Sequence, residues 1–328
     1  MRRKRARKID PAMSNPRLSV IVIGYNMARE LPRTIRSLSP TLQRDVGEDD
    51  YEIIVIDNGS TQAFELEQLQ RLGNNISTRR MLNATPSPVP AINHGLAMAR
   101  GDLIGVLIDG ARIASPRLLA TALDAARLHG RPVIGTLAFH LGPDVQGKSV
   151  EWGYCQQVED QLLDSVDWVA DPYRLFEISV FAGASRGGWF RIPGETNALF
   201  LTREHWNSLG GYEPAFVSPG GGFANGDTWL RACSDAATRI ILLLGEATFH
   251  QYHGGIATGA ATQSPVFEQF RDEYARIRQR PFAAPTGSPL FFGQLHPAAL
   301  ASVKQSAEIV CAARDEGRRP GNAEVRNG

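Results

Sequence analysis

Three cysteines in 328 residues, Cys155, Cys233 and Cys311, are too few and too scattered for a disulfide framework or a thiolate zinc site, and they predict a reducing compartment. A charge of one sign is also lacking. The 35 Lys and Arg face 34 Asp and Glu, which excludes a globally basic nucleic-acid binder and an acidic disordered chain. No apolar run approaches the roughly 18 residues that a membrane span needs. The longest, such as 240–244, are strand-sized, and no apolar segment follows the charged start, so no secretory signal is expected. The charge that is present is uneven: residues 2–8 hold six of the 35 cations, which leaves the rest of the chain mildly acidic. The expectation is a cytoplasmic protein with a basic, disordered tail over 1–15. That tail offers peripheral contact with the inner face of a membrane, and no nucleic-acid partner is expected.

What is there is an alternation of strand and helix signals. Residues 18–24 form a continuous β-branched run, the pattern of a strand buried on both faces. Leu31, Ile35 and Leu38 follow at helical spacing. A second buried strand over 51–56 stops at Asp57-Asn58-Gly59-Ser60, with Ser60 placed to cap a helix holding Phe64, Leu66, Leu69 and Leu72. A weaker strand is expected over 76–82, a helix opening at Pro90, and a strand over 103–108 ending at Asp109-Gly110. A helix over 115–128 with Ser115 as cap and a strand over 132–139 complete this half. The pattern predicts an α/β fold with a mostly parallel central sheet flanked by helices. Beyond 140 the chain is less regular. A variable insertion with a helix near 157–165 precedes strands at 198–202 and 239–244, a short segment at 248–253 and a helix at 265–279. A Pro-rich linker over 281–297 and a last helix to about 313 precede a polar, disordered 315–328.

In an open parallel sheet, ligands bind beyond the carboxyl ends of the strands. Asp57 and Asp109 each end a strand, and each has a glycine within two residues, so backbone can approach a ligand closely. Carboxylates so placed accept from a ribose hydroxyl or a base N–H, or ligate a divalent cation.

Four segments in order, LSVIVIGYN (18–26), EIIVIDNGST (52–61), AINHGLAMARGDLIGVLIDG (91–110) and LGGYEPAF (209–216), resemble the successive blocks of family 2 glycosyltransferases of the GT-A fold. The similarity covers about residues 16 to 255 and implies a Rossmann-like nucleotide-sugar-binding half (16–140) and an acceptor half (141–280), followed by linker and C-terminal helix over 281–314. It implies an enzyme of polysaccharide biosynthesis or related chemistry. Such an enzyme moves a hexosyl or other sugar from a nucleotide-diphosphate donor to an acceptor hydroxyl on a glycan, lipid-linked glycan or small molecule, with inversion. No Gln-X-X-Arg-Trp element and no membrane span accompany the blocks, so a non-processive enzyme is expected. Tyr25, Asp57, Asn93, Asp109 and Gly110 in these blocks are expected to bind the nucleotide sugar, and Arg112, just beyond them, joins them through the phosphate chemistry of its guanidinium.

The resemblance also implies a divalent cation, Mn²⁺ or Mg²⁺, held by an Asp-X-Asp element, but here the second Asp is Ala111. A cation would have to bind through Asp109 and a histidine, and on a strand His250 and His253 would face opposite ways, so His250 is taken as the ligand. Arg112, a planar fork for phosphate oxygens, is the substitute for the missing carboxylate's cation. The usual base position falls on Asn225, which leaves Asp227 as the expected base, delivered by the loop 219–226, with Glu195 in reserve. Trp152, Trp189 and Trp229 are candidates for stacking on a sugar. Two alternatives stay open. One is a catalytically inactive relative that binds nucleotide sugar or acts as a scaffold subunit, favoured by Ala111 and Asn225. The other is a nucleotidyltransferase, disfavoured because residues 24–27 supply no Gly-rich basic loop.

Overall fold

The computed structural model describes residues 15–62, 65–255 and 265–318. The basic stretch 2–8, Phe64 and the tail beyond 318 lie outside the described residues. The first half follows the apolar pattern: β1 (Leu18–Gly24), α1 (Glu30–Leu38), β2 (Tyr51–Asp57), α2 (Leu66–Gln70), β3 (Ile76–Arg80), α3 (Val89–Met98) and β4 (Leu103–Leu107). A short β5 (Arg112–Ala114), α4 (Leu118–Ala125) and a long β6 (Pro132–Leu141) follow. The second half adds α5 (Gln146–Ser149), α6 (Gln156–Ser165), β7 (Ser179–Phe181), β8 (Ala198–Thr202), α7 (Arg203–Leu209) and α8 (Ala224–Ser234). β9 (Arg239–His250), α9 (Pro265–Arg278), β10 (Leu290–Gly293) and α10 (Leu300–Arg318) end the described chain.

One sheet runs through both halves in the order β10-β9-β6-β8-β4-β1-β2-β3, with β5 paired to β9 and β7 to β6. As expected it is mostly parallel, with antiparallel strands inserted. The ladder β3-β2-β1-β4 is parallel, but β8 enters antiparallel between β4 and β6. Both faces of β1 are buried. Leu18, Val20 and Val22 pack with Leu31, Ile35 and Leu38 of α1 and with Leu118 and Leu119 of α4. On the other face Ile21 and Ile23 join Val89, Ile92, Trp206 and Trp229. Each such aliphatic side chain contributes roughly 1.5–3 kcal/mol by leaving water. A third, largely aromatic cluster around Phe139, Phe176, Trp189 and Phe249 fills the end of the sheet beyond the bulge of β9.

Several expectations give way to tertiary context. Ser60 caps no helix, because α2 begins six residues later; its hydroxyl accepts from the Asn26 backbone N–H at 2.9 Å. Ser115 caps none either, because its hydroxyl donates to buried Glu246 at 2.5 Å and α4 starts at Leu118. The expected linker 281–297 contains β10, which adds a parallel edge strand to β9. The helix α10 continues through 315–318, where disorder was expected.

The two expected segments 239–244 and 248–253 are largely one bulged strand. Gly135 pairs with Leu242 and Leu137 with Ala247, so four residues of β9 stand opposite Thr136 alone. The bulge turns on Gly245, whose φ of +84° suits glycine. It also buries Glu246, which accepts from the hydroxyls of Ser115 and Tyr173 and from the Arg117 N–H. A Cβ on Gly245 would sit 2.1 Å from the Gln294 carbonyl oxygen. Gly245→Ala is therefore expected to lower stability by roughly 2–4 kcal/mol, left-handed strain and a backbone clash adding together; chemical denaturation measures it, and a change below about 0.5 kcal/mol would contradict this account of the bulge.

Candidate active site

A cavity of about 710 Å³ opens beyond the carboxyl ends of β1 and β4, where an open sheet of this kind places ligands. Strand register groups polar side chains beside it. Arg112 of β5 pairs with His250 of β9, and His140 of β6 pairs with His250 from the other side. Residues in one row across adjacent strands share a face, so a cation and two imidazoles stand together, while the next row (Ile113, Phe249, Phe139) turns into the core.

The turn after β4 sets the rest. The Asp109 carboxylate accepts from the Ala111 N–H at 3.0 Å and from Arg112 Nε at 2.9 Å. Thr34 Oγ1 of α1 donates to the Gly110 carbonyl, and the Gln251 N–H donates to the Ala111 carbonyl. A side chain on Gly110 would meet Leu31 at 2.7 Å, so this glycine serves packing against α1 and does not line the cavity. Ala111 is fully buried among the aliphatics of the core. The position of the second carboxylate thus faces away from the cavity.

Asp109 instead meets two histidines. His250 Nε2 lies 3.2 Å from His253 Nε2 and 4.0 Å from Asp109 Oδ2, and the three ligand atoms lie within 4.8 Å of one another. Both histidines reach the site, contrary to the expectation for a strand, because β9 ends at His250 and alternation no longer applies at 253. Glu159 of α6 fixes that departing chain by accepting from the Tyr252 N–H at 2.7 Å, and Arg29 donates to the same carboxylate. Burial pushes the Glu159 carboxyl up to about 7. Burial also holds His250 well below its usual value, with Arg112 adding to it, and lowers His253 and, to about 4, His140. These imidazoles are neutral at pH 7, the form that ligates metal. A carboxylate and two neutral imidazoles converging in this way fit a divalent cation.

Glu195, in the loop before β8, lines the same cavity. Its Oε2 accepts from Asn225 Nδ2 at 3.2 Å, and Asn225 Oδ1 accepts from the Tyr212 hydroxyl at 3.1 Å. Burial raises the Glu195 carboxyl above its ordinary value, with Arg112 opposing and Asp109 assisting. Asn225 thus positions the carboxylate held in reserve.

Other expected site residues are elsewhere. Asp227 is 1% exposed, and its two oxygens are taken by Arg231 at 2.8 Å and Arg278 at 2.7 and 2.8 Å. It locks α8 to α9 and does not line the cavity, so both its oxygens are engaged away from where a base is expected. Asn93 holds the Tyr212 backbone through both ends of its amide, away from the cavity. Asp57 is 2% exposed, accepts from the Ser60 N–H and lies 3.7 Å from Arg80; Asn58 and Gly59 after it line the cavity instead. Tyr25, Asp109 and Arg112 do line it. Trp189 and Trp229 are core, and exposed Trp152 lies off the cavity. Arg112 Nη1 and Asn58 Oδ1, beside the cavity, are buried without a hydrogen-bond partner among the described residues.

The chain is similar to known proteins in part of its sequence and in its fold. Residues 19–153 match the model of Glycosyl transferase family 2. A Sinorhizobium fredii protein known only as uncharacterized protein y4gI is 26% identical over 150 residues, which span 45% of this chain and 16% of that protein. Among solved structures, S. aureus TarS 1–349 in complex with UDP superposes with a TM-score of 0.50 at 14% identity, covering 81% of this chain and 67% of that one. TarS in a longer form gives a TM-score of 0.50 at 12% identity, with 92% of this chain covered but only 43% of TarS. The mixed sheet flanked by helices is the GT-A arrangement.

Removing one partner of a buried ion pair leaves charge uncompensated, at a cost of about 3–5 kcal/mol. The two arginines around Asp227 are each 23% exposed, so solvent screening brings the cost somewhat below that range. Asp227→Asn is expected to lose about 2–3 kcal/mol in denaturant titration, while folded protein keeps its turnover within a few-fold; a catalytic loss of a hundredfold or more in folded protein would return Asp227 to the chemistry.

Proposed function

We propose that this chain, a GT-A fold carrying the family 2 match over its nucleotide-side half, is an inverting glycosyltransferase that uses a nucleotide-diphosphate sugar. The observation that carries the reading is that Glu195 lines the same cavity as the Asp109, Arg112, His250 and His253 group. The cation, carboxylate and imidazoles suit a leaving diphosphate, and the Glu195 carboxylate suits an incoming hydroxyl. Glu195 is the base. Ionised, it takes the proton of the acceptor hydroxyl as that oxygen bonds to the anomeric carbon, and the sugar–phosphate bond breaks on the far side. A single displacement of this kind inverts the anomeric centre. Arg112, with a donor to spare, binds the departing phosphate. A divalent cation held by Asp109, His250 and His253 would share that charge, and two imidazoles favour a transition ion such as Mn²⁺ over Mg²⁺. Tyr25, Asn58 and the Ala84–Pro86 stretch line the region for the nucleoside. TarS, of like fold, is seen with UDP, which makes a nucleoside diphosphate the natural first ligand to try.

The non-catalytic reading rests on Asn225 alone once Ala111 is seen to lie in the core, and Glu195 answers it. A donor panel assayed for release of nucleoside diphosphate, with and without Mn²⁺, separates the two. Release that falls about 10²–10⁴-fold in Glu195→Gln supports the enzyme; saturable donor binding with no release supports a scaffold. The pH profile follows from the raised carboxyl of Glu195: more of it is protonated at acid pH, and the working anion fills as pH rises. kcat/KM is expected to climb with an apparent pKa above the ordinary glutamate value of about 4.5, a limb absent from Glu195→Gln.

A further inference from the structure

Gln146 is fully buried, belongs to the one-turn helix α5, and has no assigned role. Its side-chain amide grips His250 at two points. Nε2 donates to the His250 carbonyl oxygen at 3.0 Å, and Oε1 lies 2.7 Å from His250 Nδ1. The first contact fixes which end of the amide is which, since a carbonyl only accepts. Oε1 is therefore the end facing the ring, and it too only accepts, so Nδ1 must carry the proton. In a neutral imidazole the lone pair then sits on Nε2, the atom that faces His253 Nε2 and Asp109 Oδ2. The backbone of the same residue is tied in as well: the Gln146 N–H donates to His140 Nδ1 at 3.0 Å, which joins the two histidine strands through one residue.

We infer that Gln146 is a positioning residue for cation binding, holding His250 in the tautomer and orientation that turn its Nε2 lone pair toward Asp109 and His253. The inference rests on the reading of those three residues as a cation site, and extends it to a residue that touches no substrate. Outer partners of this type typically change metal affinity by about 10–100-fold when removed.

The test uses the full chain and Mn²⁺ alone, with free Mn²⁺ followed by electron paramagnetic resonance. Gln146→Met, of similar volume but unable to accept, is expected to weaken Mn²⁺ binding about 10–100-fold. Gln146→Glu still accepts from Nδ1–H and is expected to stay within a few-fold of wild type. A merely structural role predicts the reverse order, because a buried carboxylate disturbs packing more than a thioether does. Should either variant fail to fold, the nitrogen shifts of His250 in the wild-type protein without metal decide. Protonation at Nδ1 supports the inference, and protonation at Nε2 overturns it. Wild-type binding with Gln146→Met unchanged overturns the inference alone, whereas no Mn²⁺ binding by wild type overturns the cation site and this inference with it.

Discussion

The pairing of Arg112 with His250 across β5 and β9 is the contact on which the site depends. β5 is only three residues long, yet it fixes where the chain after Asp109 goes. With Arg112 held in that row, its Nε reaches back to Asp109, and of the two residues between them Ala111 is turned into the core. That is why Ala111 is buried among Leu and Ile side chains while Asp109 and Arg112 face the cavity. The register that removes a second carboxylate from the site also delivers an imidazole to it.

This arrangement moves the electrostatic work of the turn onto the far end of β9. Low local polarity keeps His250 and His253 neutral and Glu195 hard to ionise, and the same low polarity strengthens each charge–charge contact inside the cavity. Arg112 sits among all of them. It lowers the proton affinity of the histidines, draws on Asp109, and opposes the burial that keeps a proton on Glu195. Positioning comes from residues with no charge of their own: Thr34 and Gln251 on the turn, Gln146 on His250, Asn225 on Glu195.

How much of this was legible in the sequence depended on distance along the chain. Continuous apolar runs gave β1, β2, β4 and β6, because burial on both faces leaves an unbroken pattern, and Asp109 and Arg112 follow from the strand end nearby. Elements held by remote partners left no such pattern. β10 has mostly exposed side chains and is held by its pairing with residues 241–244 of β9, some 50 residues earlier in the chain. Asp227 has a base's residue type and an apt position, but two arginines, one of them 51 residues away, claim it. Ser60 and Ser115 have cap chemistry and spend it on loop contacts and on Glu246. Gln146 carried no signal at all, since nothing local distinguishes a glutamine that orients a histidine 104 residues later. His253 was dismissed by a strand rule that stops applying where the strand does.

The central claim is that Arg112 and the Asp109, His250 and His253 group together receive the diphosphate of an activated sugar. The most direct measurement is a crystal structure of the full chain grown with a nucleoside diphosphate and Mn²⁺, using the anomalous signal of manganese. The account predicts a manganese peak bonded to Asp109 and both imidazoles, with a phosphate oxygen bridging it to Arg112. A nucleotide bound in the cavity with its phosphates turned away from Arg112, or manganese found only elsewhere, would contradict it.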